Sequence, residues 1–227
     1  MATLLKIIVK NGQDNPNSFF FFQQPAVYIG GPKVYSNSIY ARSLPPSNQG
    51  STITMAANLQ FYAGVQEANT STPPVGEVSG FESAVQAIDL AAKGNKPQHL
   101  DCATMTWDQD TKSLGLQQPV NAEGVQEGAF RIITATYKPN LSPFNAGSAI
   151  MVNNNIVLSN FVVASPQTNV DAQPILKYYV QTGTYQAGTV MNFSVSSVKA
   201  ALCDFTGGYA QAVVTYKDDG GWDVNMS

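Results

Sequence analysis

Four consecutive phenylalanines, Phe19 to Phe22, stand between polar Ser18 and Gln23. In an extended chain successive side chains point to opposite faces, so Phe19 and Phe21 look one way and Phe20 and Phe22 the other. Full burial of one Phe contributes on the order of 2–3 kcal/mol, so leaving two in water would cost a large part of a domain's net stability. Both faces therefore need a cover. A two-layer structure supplies one cover, and three are open to the second face: a helix or loop of the same chain, another subunit, or a cavity holding an apolar ligand. The stretch "NIVLSNFVV", residues 155–163, is apolar on both faces and makes the same demand.

Strand patterns recur along the whole chain as short segments rich in Val, Ile, Thr, Tyr and Phe, punctuated by Gly, Pro and Asn. They are "LLKIIVK", "SFFFFQ", "STITMAANLQFYAG", "CATMTW", "AFRIITATYK", "AIMV", "NIVLSNFVVA", "ILKYYVQTG", "GTVMNFSVSSV" and "AQAVVTYK". About ten strands are too many for one flat open sheet. The pattern predicts an all-β fold, an antiparallel β-sandwich or flattened barrel that is jelly-roll-like, with at most one or two short helices. The turn chemistry agrees: "WDQDTKSLGL", "MVNNNIV" and "YKDDGGWDV" each join two strand-like pieces through Asp, Asn or Gly. One helix is predicted over residues 81–97, "FESAVQAIDLAAKGNKP", with Ala84, Val85, Ile88 and Ala91 at helical spacing, Gly94 as a stop and Pro97 beyond. The same residues also read as a strand through "AVQAIDLA". No alternating βαβ units occur, which argues against a doubly wound sheet.

The chain has 227 residues, a length that all-β folds commonly reach as one unit, so a single domain over residues 1–227 is expected. Charged residues are only 12%, against a usual figure of about 25%. Twelve Lys and Arg face fifteen Asp and Glu for a net charge of −3, and the two arginines, Arg42 and Arg131, are far apart. With no cluster of cations to displace counterions from phosphates, no nucleic-acid partner is expected. No apolar run approaches the ~20 residues of a membrane span, so none is expected either. The opening "MATLLKIIVKNGQ", broken by Lys6 and Lys10, reads as a first strand rather than a leader. The chain is expected in the cytoplasm if Met1 is native and as a secreted mature form otherwise. Four sequons, at Asn69, Asn140, Asn192 and Asn225, lean weakly toward secretion. Cys102 and Cys203 read as buried free thiols, with a single bridge between them as the alternative.

Counting removes several chemistries. His99 is the only histidine, so three-His zinc and two-His iron centres have no ligand set, and neither a metal nor a cofactor is expected. No phosphate-cradling glycine motif and no G-x-S-x-G are present. In "QHLDCATMTWDQD" the residues His99 and Asp101 share a strand face and form a candidate acid/base pair, while Cys102 points to the other face and is a poor nucleophile for that histidine. The acidic turns with Asp108, Asp110, Asp218, Asp219 and Asp223 lack the spacing of a calcium loop and read as solvated hairpin turns.

The aromatic and amide content carries the functional reading. Phe20, Phe22, Tyr28, Tyr35, Tyr40, Tyr62 and Trp107 are the candidate ligand-binding residues, interleaved with Asn37, Asn58, Gln60 and Gln66. Flat apolar walls with a few uncharged hydrogen-bonders are what pockets for neutral organic ligands use. The predicted function is a binding protein for a neutral small molecule or sugar, with the "YIGGPKVY" segment at the pocket mouth and a homodimer as the expected assembly. The alternative is a cofactor-independent isomerase or cyclase on the same scaffold. A third reading, a self-assembling structural protein, draws on the low charge and the two-sided apolar strands.

Overall fold

The computed structural model describes residues 4–94 and 96–227, so residues 1–3 of the expected first strand and residue 95 of the expected helix lie outside the described residues. Strand accounts for 52% of the chain and helix for 4%, as the all-β expectation requires. Among the described residues there are eighteen strands where about ten were expected; several of them are two to five residues long, and the longer β4 and β7 carry no clear strand pattern.

The chain opens with β1 (Leu4–Asn11), β2 (Asn17–Gln23), β3 (Val27–Tyr28), β4 (Val34–Leu44), β5 (Thr52–Asn58), β6 (Phe61–Ala68) and β7 (Gly80–Ile88). It continues with β8 (Cys102–Asp108), β9 (Ser113–Leu116), β10 (Phe130–Ile133), β11 (Phe144–Val152), β12 (Asn155–Val163) and β13 (Asn169–Gln173). The last part holds β14 (Lys177–Thr182), β15 (Val190–Met191), the helix α1 (Phe193–Ser197), β16 (Ala201–Asp204), β17 (Gln211–Tyr216) and β18 (Trp222–Met226).

Ten strands run in the order β16-β14-β2-β4-β12-β11-β5-β1-β17-β18, and the two end strands come side by side, so this sheet nearly closes on itself. At the seam the Trp222 indole N–H donates to the Lys199 carbonyl at 2.8 Å. In β1 the buried positions Leu5, Ile7 and Val9 point inward, and they share a core with Phe19, Phe21, Ile39, Met55 and Val214. The sheets are mixed rather than purely antiparallel, since β1 pairs parallel to β17 and β10 parallel to β8. Parallel neighbours need a long connection between them, and β1 and β17 lie near opposite ends of the chain.

A second sheet, β3-β13-β10-β8-β9, covers a second core built from Ala63, Val65, Met105, Phe130, Ile132, Phe144 and Ala146. The two cores meet along β11. Phe144 and Ala146 enter the second core while Ile150 and Val152, of the same parity, enter the first. One face of one strand thus closes both.

Two local expectations are corrected. Residues 81–88 of the predicted helix lie instead in strand β7, as the alternative strand reading has it, paired antiparallel to β6 from Phe61↔Ile88 to Ala68↔Gly80. Helix propensity differs among ordinary residues by only about 0.7 kcal/mol at most, and β6 offers β7 a full ladder of backbone partners. Conversely "GTVMNFSVSSV", expected as a strand, is the two-residue β15 followed by α1. The Asn192 side chain caps the helix by accepting from the Val195 N–H at 3.1 Å.

Candidate functional site

The Phe run divides as its alternation demands. Phe19 and Phe21 enter the barrel core, while Phe20 and Phe22 lie on the outside of β2 yet are fully buried. Their cover is the chain's own segment from Tyr185 to Ala200, together with Tyr179 of β14. Phe22 stacks on Tyr179 at 5.1 Å and 8°, Tyr185 meets Phe20 edge-on at 5.1 Å, and Phe193 meets both Phe22 and Tyr179 edge-on at 5.9 and 5.4 Å. Met191 completes the cluster. Offset and edge-on rings each add about 0.5–1.5 kcal/mol beyond burial. No second subunit is needed to shield Phe20 and Phe22.

Directly beside this cover opens a groove of about 340 Å³. Its lining comes from the beginning of β4 with Lys33, Val34, Tyr35 and Ser36, from the loop residues Pro73 and Val75, from Pro25, and from the stretch Val190 to Ser194. Met191 and Phe193 therefore belong to the groove and to the cover of the Phe run at once. Tyr35 stacks on Phe161, its cross-strand neighbour on β12, at 5.5 Å and 13°, which holds the phenol ring in one orientation. The Lys33 ammonium sits 4.8 Å above the Tyr35 ring centroid. Backbone bonds pin the opposite wall: Gly76 N–H donates to the Val190 carbonyl at 2.8 Å and Val190 N–H to the Glu77 carbonyl at 2.8 Å. Apolar side chains, two aromatic rings and the amide and hydroxyls of Asn192, Ser36 and Ser194 form the surface offered to a ligand.

Of the residues singled out from sequence, Tyr35 lines this groove, and Phe22 lies behind its Phe193 wall. The remaining five ligand-binding candidates are dispersed. Tyr28 is buried, donating to the Asn160 carbonyl at 2.8 Å and accepting from the Ser148 N–H at 3.2 Å, and burial lifts its phenol well above the ordinary range. It also borders a smaller hollow of about 210 Å³ with Ile29, Gly30 and Pro32, so the "YIGGPKVY" segment lines one concavity through Gly30 and the other through Lys33 and Tyr35. Tyr40 packs on Phe21 at 5.5 Å by the barrel core, and Phe20 is sealed under Tyr185. Tyr62 lies in a small cluster with Leu158 and Phe161. Trp107 stands edge-on to Phe144 at 4.9 Å at the margin of the second core, with Lys112 over its ring at 5.7 Å.

His99 and Asp101 do not pair. The His99 Nδ1 lies 3.1 Å from the Leu90 carbonyl, in a shallow concavity of about 390 Å³ that also contains Asp89, Gln60 and Phe61. The Asp101 carboxylate is buried and accepts from the Ala122 N–H at 3.0 Å, fastening the loop beyond β9. Beside it, Arg131 forms a bidentate pair with Asp171 at 2.7 Å and donates to the Glu123 and Gly124 carbonyls, which occupies the guanidinium within the fold.

Both cysteines are buried and free, Cys102 on β8 and Cys203 on β16 in the barrel core, and burial pushes the Cys203 thiol up to about 12. The acidic turns are occupied by their own backbones: Asp108 accepts from the Thr111 and Asp110 N–H groups, which hold its carboxyl below the usual range, and Asp219 accepts from Gly221. Among the described residues no cluster of His, Cys, Asp and Glu suits a metal ion, and no helix is long and apolar enough to cross a membrane.

Sequence reasoning missed Phe193, Met191, Val75 and Lys33 as parts of one surface. The Asn-Phe-Ser triplet at 192–194 carries a usable signal, since Asn before a short run is a helix cap, but the apolar residues around it give a strand pattern that masks it. Comparison with protein families, with curated proteins and with solved structures finds no match to this chain.

Proposed function

We propose that this protein is a binding protein that takes a small organic ligand with an uncharged body, a flat ring system or a sugar, in the groove between Tyr35, Val75 and Phe193. The observation that carries the reading is the double membership of Phe193: it seals the outer face of the Phe run and leaves its neighbours Tyr35 and Val75 lining an open hollow. Val75 is 53% exposed there, an apolar side chain spent on a concave surface rather than on a core. The volume of about 340 Å³ sits at the small end of the usual range for ligand pockets, about 300–1,000 Å³. The rigid stack of Tyr35 on Phe161 offers a ring whose orientation costs no further ordering on binding.

Fluorescence titration with the neutral dye N-phenyl-1-naphthylamine tests the reading. Val75→Glu places a charge on the groove wall at an exposed position, and Tyr35→Ala removes the ring. Each is expected to weaken binding about tenfold, or about 1.4 kcal/mol. Trp107→Ala, outside the groove lining, is expected to bind as the parent does. Unchanged affinity in both groove variants, or an equal loss in Trp107→Ala, overturns the assignment.

A further inference from the structure

We infer that the ligand of this groove carries one anionic group, a carboxylate, sulfonate or acidic phenol, which seats against Lys33; the inference rests on the groove reading above. Lys33 is the one charged side chain in the lining, and no carboxylate accompanies it. The ion pairs found among the described residues are Arg131–Asp171, Lys177–Asp204 and Lys217–Asp219, so Lys33 is left without an acidic partner there. Its ammonium lies over Tyr35 instead, at 4.8 Å from the ring centroid. A cation over an aromatic face at an exposed site gains less than a charge-assisted hydrogen bond in a partly closed site supplies. An arriving anion thus finds a cation already held at the mouth, above the ring that would take the ligand's flat body.

Neighbouring hollows lack this character. The one by His99 contains Asp89, and the one by Tyr28 contains Asp171, whose charge is already matched by Arg131. The chain as a whole has a net charge of −3, so an anion is not drawn in by the overall field. Selection for an anion is local to Lys33.

Two dyes of similar shape, one uncharged and one anionic, separate the claims: neutral N-phenyl-1-naphthylamine and anionic 8-anilino-1-naphthalenesulfonate, titrated against the full chain at low ionic strength. The anionic dye is expected to bind about tenfold more tightly than the neutral one. Lys33→Gln is expected to bring the ratio of the two affinities toward one, and Lys33→Arg to retain the preference. Lys112→Gln is the control, because Lys112 also lies over an aromatic ring, Trp107, but away from the groove; it is expected to leave the ratio unchanged. Urea midpoints of the variants establish that each is folded. A ratio unmoved by Lys33→Gln, or moved equally by Lys112→Gln, with neutral-dye binding still lost in Val75→Glu, removes the anion and keeps the groove. Failure of both dyes to bind the parent removes the groove reading and this inference with it.

Discussion

Phe193 meets Phe22 edge-on, with ring centroids 5.9 Å apart and planes at 82°. Phe22 is fully buried among Phe193, Tyr179, Phe20 and Met191, while Phe193 keeps one side toward the groove. The two rings should therefore respond differently to truncation. Phe22→Ala opens a cavity under the cover and is expected to cost about 3–5 kcal/mol, whereas half-buried Phe193→Ala is expected to cost about 1–2 kcal/mol. Urea denaturation measures both. Dye binding separates them further, because a folded Phe193→Ala loses a groove wall and its affinity falls. Equal destabilisation by the two changes would mean that α1 is as much core as β2.

Gly147 of β11 sits where Tyr28 and β12 crowd closest. A Cβ at this position would collide with the Asn160 carbonyl and the Tyr28 hydroxyl. The same hydroxyl bridges the Asn160 carbonyl and the Ser148 N–H at the bulge where β11 and β12 shift register. Gly147→Ala is expected to cost at least about 3 kcal/mol, because backbone and not a flexible side chain must give way. Tyr28→Phe keeps the ring and leaves the Ser148 N–H unpaired, for about 1–3 kcal/mol. Chemical denaturation of the two variants checks the order; a Gly147→Ala protein as stable as the parent would contradict the packing described.

Alkaline pH is expected to unfold the protein through groups held neutral by burial. Burial raises the Cys203 thiol from 9.0 to about 12 and the Tyr137 phenol from 10.0 to about 12, and lifts Tyr28 and Tyr178 as well. In the unfolded chain these groups ionise at their ordinary values, so above about pH 9 the unfolded state loses protons that the folded state keeps. Their contribution is complete below pH 9 and declines as pH climbs toward 12. Each group steepens the decline by up to about 1.4 kcal/mol per pH unit. Cys203→Ala removes the first of them, so its stability, measured by urea unfolding at pH 8 to 11, should fall less steeply between pH 9 and 10 than the parent's. Parallel slopes would rule out a thiol held neutral there.

The strands with a readable period were legible. β1, β2, β8, β12, β14 and β17 follow from their apolar residues, and the hairpins at 108–113, 153–154 and 217–221 follow from Asp, Asn and Gly. Asn153 and Asn154 adopt φ of 47° and 68°, the left-handed region that asparagine tolerates better than most residues. β4 was not legible, since it buries Ser36, Asn37 and Ser38 beside Ile39. A strand whose buried positions are polar carries no hydrophobic signal, and its Asn37 finds acceptors only after folding, in Ser79 at 2.9 Å and the Leu158 carbonyl at 2.8 Å. The groove was half legible for a similar reason. Tyr35 lies beside a marked Gly-Gly-Pro turn, but Val75 and Phe193 are brought to it from 40 and 158 positions along the chain by the pairing of β15 with β4.

The sequence by itself determined that this is a β protein with little charge, and that a ribbon bearing Phe19 to Phe22 must be enclosed on both faces, because side-chain alternation and apolar burial act within a few residues of one another. Which element encloses the outer face was decided by the tertiary structure. Any of several segments could have supplied the rings. The closure of the sheet through β14 and the return of the chain from β15 into α1 put Tyr179, Tyr185 and Phe193 there, and left a hollow at the edge of the cover where Tyr35 and Lys33 meet it.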